Sequence, residues 1–229
     1  MLKYLKLKLK YSKLFYWLRS ICNLSPYEEI IEKSMIFSKI SETKGDYLEF
    51  GVYEGRTFIY AHHLAQKYGH NLMRFYAFDS FAGLPAITGK DAQDFCFYKK
   101  GDYACEIKKF KKNLHKSGVD FKKITIVPGW YKNILNEETR RFLPIKKAAI
   151  IYIDCDLYES AKLVLDFVTN YIKDGTVIIF DDWFDFRGDP QRGEMGAFNE
   201  WQKANLQFTV TEFHKFHFGG NSFIISLKK

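Results

Sequence analysis

The amino-acid sequence predicts an α/β fold: a doubly wound, seven-stranded, mostly parallel sheet with one antiparallel strand in a C-terminal hairpin. Strand-like and helix-like segments alternate five times, which is typical of a sheet with helices on both faces. Two continuous apolar runs, at 148–153 and 176–180, suit strands that are buried on both faces of a parallel sheet. Two alternating segments, 207–213 and 222–226, lie on either side of Gly219-Gly220 and predict the hairpin.

The other predicted elements follow in order from a helix start at Ser25-Pro26. A capping serine, a proline at the first helical position and two acids in the first turn begin a helix that should run to about residue 41. A strand at 46–50 leads into a turn bracketed by Gly51 and Gly55. The remaining predicted elements are strands at 74–78 and 123–127 and helices at 58–68, 106–116, 137–142, 158–173 and 197–204.

Residues 86–104 show no clean period and contain four aromatic rings, those of Phe95, Phe97, Tyr98 and Tyr103. A loop of this length in a compact domain is usually functional or disordered. We expect a lid that closes over a bound substrate.

Charge divides the chain into a basic amphipathic segment, 1–25, and one domain, 26–229. The chain of 229 residues is 47% hydrophobic, which is enough for the core of one domain. Of the formal net charge of +8, residues 1–25 carry +6 and the rest only +2, which argues against a broad nucleic-acid-binding face. The basic segment can pack on its own domain, bury the interface of a homo-oligomer, or lie on an anionic membrane. We expect the homo-oligomer.

The four cysteines show no CxxC spacing, no secretory signal precedes them, and no apolar run approaches the length of a membrane span. We therefore expect free thiols and a cytoplasmic protein, with any membrane contact peripheral and made through residues 1–25.

Acidic residues follow both apolar strands: Asp154 and Asp156 come after 148–153, and Asp181 and Asp182 come after 176–180. If the strands are neighbours, Asp154, Asp181 and Asp182 converge at the edge where open α/β sheets bind ligands. Carboxylates that share a small volume disfavour each other's ionisation, and a hard divalent cation, Mg²⁺ above all, compensates them. Acids also cap the helices that follow strands. Because acids follow two strands that we expect to be neighbours, we favour the metal site over helix capping.

Two further features indicate a ligand of nucleotide type. Asp79 ends the second predicted strand, where related folds hold a ribose diol. The Gly51–Gly55 turn, with Thr57 after it, lets backbone amides approach a ligand closely. Its spacing is G-x-x-x-G rather than the dinucleotide fingerprint, so an NAD site is poorly supported.

Five segments resemble the successive motifs of the macrocin/mycinamicin-type sugar O-methyltransferase family: LEFGVYEGRT, FDSFAGLP, PGWYKNIL, IDCDLYES and FDDW. The resemblance spans about Tyr47 to Phe198. It implies a class I S-adenosylmethionine-dependent methyltransferase that uses Mg²⁺. The acceptor would be a hydroxyl of a sugar, in a nucleotide sugar, a glycan or a glycosylated natural product.

Carried over position by position, the resemblance implies the site residues. The cofactor set comprises Glu49, Gly51, Tyr53, Gly55, Thr57, Asp79, Ser80, Phe81, Gly129, Trp130 and Asp154. The metal ligands would be Asp154, Asp181 and Asp182, as the carboxylates alone suggest. A sugar hydroxyl is a weak acid, so a base must take its proton. Asp154 is the expected base, with His217 or His214 as substitutes.

Three other functions are compatible with parts of the sequence. A catechol-type phenol O-methyltransferase would have a similar metal site. A non-catalytic nucleotide-sugar-binding protein could share the fold, but it predicts a damaged acidic triad, which is intact here. A nucleic-acid methyltransferase would need a basic channel with stacking aromatic residues. We therefore expect a small-molecule or glycan acceptor and no nucleic acid.

Overall fold

A computed structural model of the chain describes residues 25–93 and 96–228 and confirms the predicted fold class. Seven strands form one sheet in the order β3-β2-β1-β4-β5-β7-β6. The strands are β1 Asp46–Phe50, β2 Phe75–Asp79, β3 Ile124–Pro128, β4 Ala148–Ile153, β5 Thr176–Phe180, β6 Phe208–Glu212 and β7 Asn221–Leu227.

Seven α-helices connect the strands or precede them in the described residues. They are α1 Pro26–Ile40, α2 Arg56–Lys67, α3 Ile107–Lys116, α4 Tyr131–Ile134, α5 Glu137–Phe142, α6 Tyr158–Val168 and α7 Gly193–Ala204. Short 3₁₀ turns occur at 89–92, 121–123, 169–171 and 186–188. The short helix α4 was not predicted, and α7 begins four residues earlier than expected. Gly193 and Gly196 weaken the helical pattern there because glycine is a poor helix former.

The register of the sheet brings three strand ends to the same level. Strands β1 to β5 are parallel, and Phe50 is paired with Ile153, which is paired in turn with Phe180. Strand β7 is antiparallel to both β5 and β6, so β6 runs in the same direction as β1 to β5. The segment 213–220 therefore returns to the carboxyl edge of the sheet, beside the loops that follow β1, β4 and β5.

The core lies on both faces of the sheet. On one face Phe50 stacks on Phe78 with ring centroids 4.5 Å apart, and Phe167 of α6 meets both rings edge to face. On the other face, Tyr47 and Phe58 are fully buried together with the apolar stripes of α1, α2 and α3. The strongly apolar strands β4 and β5 are buried along their whole length, as the sequence predicts.

The predicted basic segment 1–25 lies, apart from Ser25, outside the described residues, as do residues 94 and 95 of the predicted lid and the last residue. Within the described part of the chain no helix combines the length and the apolar character that crossing a membrane requires. Cys96, Cys105 and Cys155 are free thiols.

Candidate active site

A cavity of about 880 Å³ opens at the carboxyl edge of the sheet, where open α/β folds bind ligands. Its volume is within the range of small-molecule sites. Many of the residues predicted from sequence line it: Gly51, Tyr53, Thr57, Asp79, Ser80, Gly129, Trp130, Asp154, Asp181, Asp182 and His217. The described lining residues do not include Glu49, Gly55 and Phe81, which lie behind the wall.

The glycine turn after β1 is shaped by a close approach of two backbones. Gly51 has φ +85°, and a Cβ built there would lie 1.7 Å from the carbonyl oxygen of Asp154. Gly55 caps α2 with φ +88°, and its Cβ would lie 2.7 Å from the ring of Phe110. Neither position can hold a larger residue without moving its neighbours.

Asp79 joins this turn to the segment after β2. Its Oδ2 accepts hydrogen bonds from the backbone N–H groups of Val52 at 2.8 Å and Tyr53 at 3.3 Å. Its Oδ1 accepts one from Phe81 at 2.6 Å. Among the described residues Oδ1 accepts this one bond, so it keeps a second lone pair. The half-buried carboxylate is therefore held rigidly while it can still accept bonds from a diol in the cavity.

Glu49 supports the turn from beneath. It is fully buried and accepts hydrogen bonds from the hydroxyls of Tyr47 at 2.6 Å and Thr57 at 2.7 Å. Burial raises its pKa to about 8, so the carboxyl is largely protonated at neutral pH. Glu49 thereby holds Thr57, whose side chain faces the cavity, without placing a full negative charge beneath it.

The opposite wall comes from the segments after β2 and β3. The Ser80 hydroxyl donates to the carbonyl of Gly83 at 2.9 Å and accepts from the backbone N–H of Ala82 at 3.0 Å. Gly129 has φ +145°, and a Cβ there would lie 2.5 Å from the side chain of Ile134. This glycine lets Trp130 follow the strand end directly and line the cavity. Phe81 instead packs behind the wall, 5.5 Å from the ring of Phe110.

The structure brings three carboxylates together at the other end of the cavity: Asp154, Asp156 and Asp182 each offer an oxygen within 4.8 Å of the others. Two of them, Asp154 and Asp182, belong to the predicted metal set. The third, Asp156, follows β4 and was not predicted as a ligand. Asp181 instead accepts a hydrogen bond from the buried hydroxyl of Tyr152 at 2.5 Å.

The electrostatics of these three acids fit a divalent cation. Burial, followed by repulsion from neighbouring acids, raises the pKa values of Asp154 and Asp182 well above the ordinary range. Burial also raises the pKa of Asp156, to about 7. The Oδ2 atom of Asp182 is buried and has no hydrogen-bond partner among the described residues. A set of carboxylate oxygens with one orphaned acceptor suits a hard cation such as Mg²⁺.

Glu194, in the first turn of α7, was missed by the sequence analysis. It is fully buried, and its two oxygens accept the backbone N–H groups of Cys155 and Asp182, each at 3.1 Å. It therefore fixes the loops after β4 and β5 relative to each other. Nothing in its spacing from the acids signals this role, because only the folded α7 brings it beneath them.

His217 lies in the segment 213–220 and lines the cavity near Asp181. Its Nδ1 accepts the backbone N–H of Gly219 at 2.9 Å, so in the neutral ring the proton is on Nε2. Nε2 lies 3.8 Å from Oδ1 of Asp181 and is buried without a hydrogen-bond partner among the described residues. In this tautomer the free nitrogen of His217 is a donor and not a base. His214 lies elsewhere, against Lys33.

Tyr27 was also missed. This residue in the first turn of α1 lines the cavity and packs its ring on His217, with centroids 4.7 Å apart. The residues around Tyr27 indicate only the start of a helix. They do not show that this end of the helix lies beside the cavity.

Two side chains of the predicted lid, 86–104, bind it to its surroundings in the cavity wall. The buried carboxylate of Asp91 accepts the backbone N–H groups that begin α6 and α7, from Tyr158 at 2.6 Å and Gly193 at 2.9 Å. The buried hydroxyl of Tyr98 donates to Asp185. A hydrogen bond from Tyr98 also lowers the pKa of Asp156 against the larger effect of burial. The described part of this segment is thus bound to the walls of the cavity.

Comparisons with known proteins agree with this architecture. The chain is 27% identical over 143 residues to the 8-demethyl-8-(2,3-dimethoxy-alpha-L-rhamnosyl)-tetracenomycin-C 4'-O-methyltransferase of Streptomyces olivaceus, an overlap of 61% of this chain and 53% of that protein. It is 26% identical over 145 residues to the mycinamicin III 3''-O-methyltransferase of Micromonospora griseorubida, covering 61% of this chain and 55% of the relative. The chain thus spans about half the length of these curated relatives.

The fold is also that of a solved structure, the O-methyltransferase NovP. The two superpose with a TM-score of 0.70 at 19% identity, over 88% of this chain and 80% of NovP. The family model for macrocin-O-methyltransferase (TylF) matches residues 28–206, which run from the first turn of α1 to beyond the end of α7. The resemblance seen in the five sequence motifs is therefore confirmed, and the chain belongs to the macrocin-O-methyltransferase (TylF) family.

Proposed function

We propose that the protein transfers a methyl group from S-adenosylmethionine to a hydroxyl of a sugar, with Mg²⁺ bound at the acidic end of the cavity. The observation that carries this proposal is that one cavity contains both the Gly51–Asp79 corner and the carboxylates of Asp154, Asp156 and Asp182. A methyl donor and a metal-bound acceptor can then lie side by side, which is the proximity that group transfer requires.

The donor end supports S-adenosylmethionine, which when bound supplies an electrophilic methyl group on a sulfonium. Asp79 offers oxygens to the ribose hydroxyls, and Ser80 and Trp130 line the adjoining wall. The turn from Gly51 to Gly55, closed by Thr57, would surround the methionine part. Because Asp79 is already held by three backbone N–H groups, little ordering of the carboxylate is needed on binding.

The acceptor end supports a metal-assisted reaction. Asp154, Asp156 and Asp182 would hold the cation, with Asp181 beside them as the ligand expected from sequence. The cation, when bound, lowers the pKa of a coordinated hydroxyl and fixes its orientation. The chain supplies the proton acceptor: the carboxylate of Asp154 takes the hydroxyl proton as the oxygen bonds to the methyl carbon. The bond from that carbon to the sulfonium sulfur breaks, and S-adenosylhomocysteine leaves.

Asp156 is the second candidate for the base. Its carboxylate lies beside those of Asp154 and Asp182, so it can also accept the proton of a hydroxyl bound there. His217 is less suited, because Nδ1 is engaged by Gly219 and Nε2 carries the hydrogen. We therefore assign His217 to orienting the acceptor by donating a hydrogen bond to it.

The relatives favour a sugar over a catechol-type phenol as acceptor. Both curated relatives are named as O-methyltransferases, one of a rhamnosyl tetracenomycin and one of mycinamicin III. On that ground we propose a sugar or a glycoside as the acceptor for this chain.

The test is incubation with S-adenosylmethionine labelled on the methyl group and a panel of nucleotide sugars, rhamnosides and catechol, with EDTA and with added Mg²⁺. We expect label on a sugar only when Mg²⁺ is present, and none with Asp154→Asn. Asp46→Asn, at the opposite edge of the sheet, is the matched control and should keep activity. Full activity in EDTA would contradict the proposed metal requirement. Transfer to catechol alone would contradict a sugar as the acceptor.

The division at residue 25, the homo-oligomer and the cytoplasmic location stay predictions. We propose that residues 1–24 help to bury a subunit interface, because Phe15, Trp17 and Leu18 form part of an apolar stripe that a monomer would expose. Removal of residues 1–24 should lower the number of subunits per particle, measured by light scattering, and leave cofactor binding intact.

A further inference from the structure

The helix α3 and the turn after it carry a concentrated positive charge. Residues 107–123 contain seven lysines and one acid, a net charge of +6. Since residues 26–229 sum to only +2, the rest of the domain carries −4. The near-neutral sum therefore hides an uneven distribution of charge, with ten acids lining the cavity and seven lysines within 107–123.

The fold fixes where these lysines point. Phe110 and Leu114 are fully buried, and Phe110 packs against Phe58 with centroids 5.9 Å apart. The opposite side of α3 is exposed to solvent. We call this side the lysine face, and it consists of Lys108, Lys109, Lys111, Lys112 and Lys116 on α3 with Lys122 and Lys123 after it.

This arrangement costs stability. Lys108 and Lys112, and Lys112 and Lys116, are four residues apart on the helix, where like charges repel. Within residues 25–93 and 96–228, the pair from Lys109 to Glu54 at 2.5 Å is the one ion pair formed by the lysine face. Such a concentration of unpaired positive charge indicates an anionic partner.

Exposed apolar side chains lie at both ends of the lysine face. Leu72 is 94% exposed, and the Lys123 ammonium group donates to the carbonyl of the adjacent Asn71 at 2.9 Å. Tyr103 is 56% exposed and precedes α3 by four residues. An aliphatic and an aromatic side chain beside a cluster of lysines are the components of a membrane-interface contact.

We propose that the lysine face docks this protein on an anionic phospholipid bilayer, with Leu72 and Tyr103 at the headgroup boundary. A cluster of four to eight basic residues on an amphipathic helix is the usual signature of attraction to anionic lipids. All seven cations are lysines, whereas guanidinium groups are the preferred recognition elements for nucleic-acid phosphates, so a bilayer fits better than a nucleic acid.

The lysine face borders the cavity. Glu54, the partner of Lys109, lines the cavity wall, as does Tyr103. A protein docked through this face would therefore hold the cavity beside the lipid surface. The docking itself does not depend on the proposed methyl transfer, so the two can be tested separately.

The experiment is flotation of the 229-residue chain with vesicles of phosphatidylglycerol and phosphatidylcholine in a 3:7 ratio, and with vesicles of phosphatidylcholine alone, at low and high salt. The test variant is K108E/K111E/K112E/K116E. The matched control is K44E/K146E/K147E/K173E, which makes the same change of charge at exposed lysines elsewhere. Circular dichroism and thermal unfolding verify that both variants fold.

We expect the wild-type chain to float with the anionic vesicles only, and high salt to release it, because exposed charges are screened. The α3 variant should partition at least tenfold less than the control variant. Equal loss in both variants, retention in both, or no flotation of the wild type overturns the proposal. So does tighter binding to a single-stranded oligonucleotide than to the vesicles at the same salt concentration.

Discussion

Glu194 accepts a hydrogen bond from the backbone N–H of Asp182 at 3.1 Å, and its other oxygen accepts one from Cys155 at the same distance. One buried carboxylate of α7 thus holds the two loops that carry Asp154, Asp156 and Asp182. These acids repel each other, and burial already raises the pKa of Glu194 itself. The cluster is kept together by backbone donors and not by attraction between its members.

The first prediction concerns the two hydrogen bonds that Glu194 accepts from the loops. Glu194→Gln leaves one carbonyl oxygen for two N–H groups and turns an NH₂ towards the other, so the acids should separate. We expect Mn²⁺ affinity, measured by titration as a stand-in for Mg²⁺, to fall at least tenfold. Stability should fall by about 1–3 kcal/mol, the penalty of an unsatisfied buried group. Glu138→Gln removes an exposed carboxyl and is the control. Unchanged Mn²⁺ affinity would contradict the role.

The second prediction separates the two possible ligand sets. The sequence predicts Asp181 as a ligand, whereas the structure brings Asp156 to Asp154 and Asp182. We expect Asp156→Asn and Asp182→Asn each to weaken Mn²⁺ binding tenfold or more, and Asp181→Asn to weaken it less because its Oδ1 is engaged by Tyr152. Isothermal titration of the three variants measures this. An effect of Asp181→Asn as large as that of Asp182→Asn would return Asp181 to the ligand set.

The third prediction concerns Asp79. Asp79→Ala removes an acceptor of three backbone N–H groups and, in the proposed complex, of the ribose hydroxyls. Hydrogen bonds to a charged group contribute about 1.5–3 kcal/mol each, so S-adenosylhomocysteine should bind at least about tenfold more weakly in calorimetry. Asp46→Ala is the control, because Asp46 accepts the backbone N–H of Arg74 at the far edge of the same strands. Equal affinity for Asp79→Ala and wild type would remove Asp79 from the site.

The fourth prediction is a pH dependence. Burial raises the pKa of Glu49 in the folded protein to about 8, above the value of about 4.3 in an unfolded chain. Between these values the folded state binds more protons than the unfolded state, so stability falls as pH rises, by up to about 1.4 kcal/mol per pH unit for this group. We expect lower stability at pH 8 than at pH 5.5 in urea unfolding with EDTA present.

Glu49→Gln mimics the protonated carboxyl at every pH and should flatten this slope. The raised pKa values of Asp154 and Asp182 act in the same direction, so part of the slope should remain. If the variant and the wild type lose stability equally between pH 5.5 and 8, Glu49 is not protonated in the folded state.

The fifth prediction concerns the lid. Tyr98→Phe keeps the ring packing against Phe186 but removes the hydroxyl that donates to Asp185. We expect faster proteolysis within 86–104, because the variant lacks the hydrogen bond that holds this segment to Asp185. Cofactor and acceptor together should also protect the segment less, because the closed lid would lack the same bond. Tyr103→Phe changes an exposed ring, and this variant should be cleaved at the same rate as the wild type. Identical cleavage of Tyr98→Phe would show that the bond does not hold the lid.

Local sequence patterns predict the order of the strands, every described helix except α4, the buried strands β4 and β5, the glycine turn and the acids at strand ends. These features depend on local chemistry: apolar runs, turn residues and caps act over a few neighbouring positions. The same local rule predicted Asp79 at the cofactor end and Asp154 and Asp182 at the acidic end, and all three line the cavity.

Which acids meet depends on the folded arrangement of the loops. Successive residues after a strand point in different directions, so the turn that follows selects Asp156 for the cluster, and Tyr152 engages Asp181. Glu194, Tyr27 and Asp91 reach the site from helices and a loop that are distant in sequence. The tautomer of His217 depends on the N–H of Gly219, two residues away, which the local fold turns back onto the ring. These choices follow from long-range packing, which residue spacing does not encode.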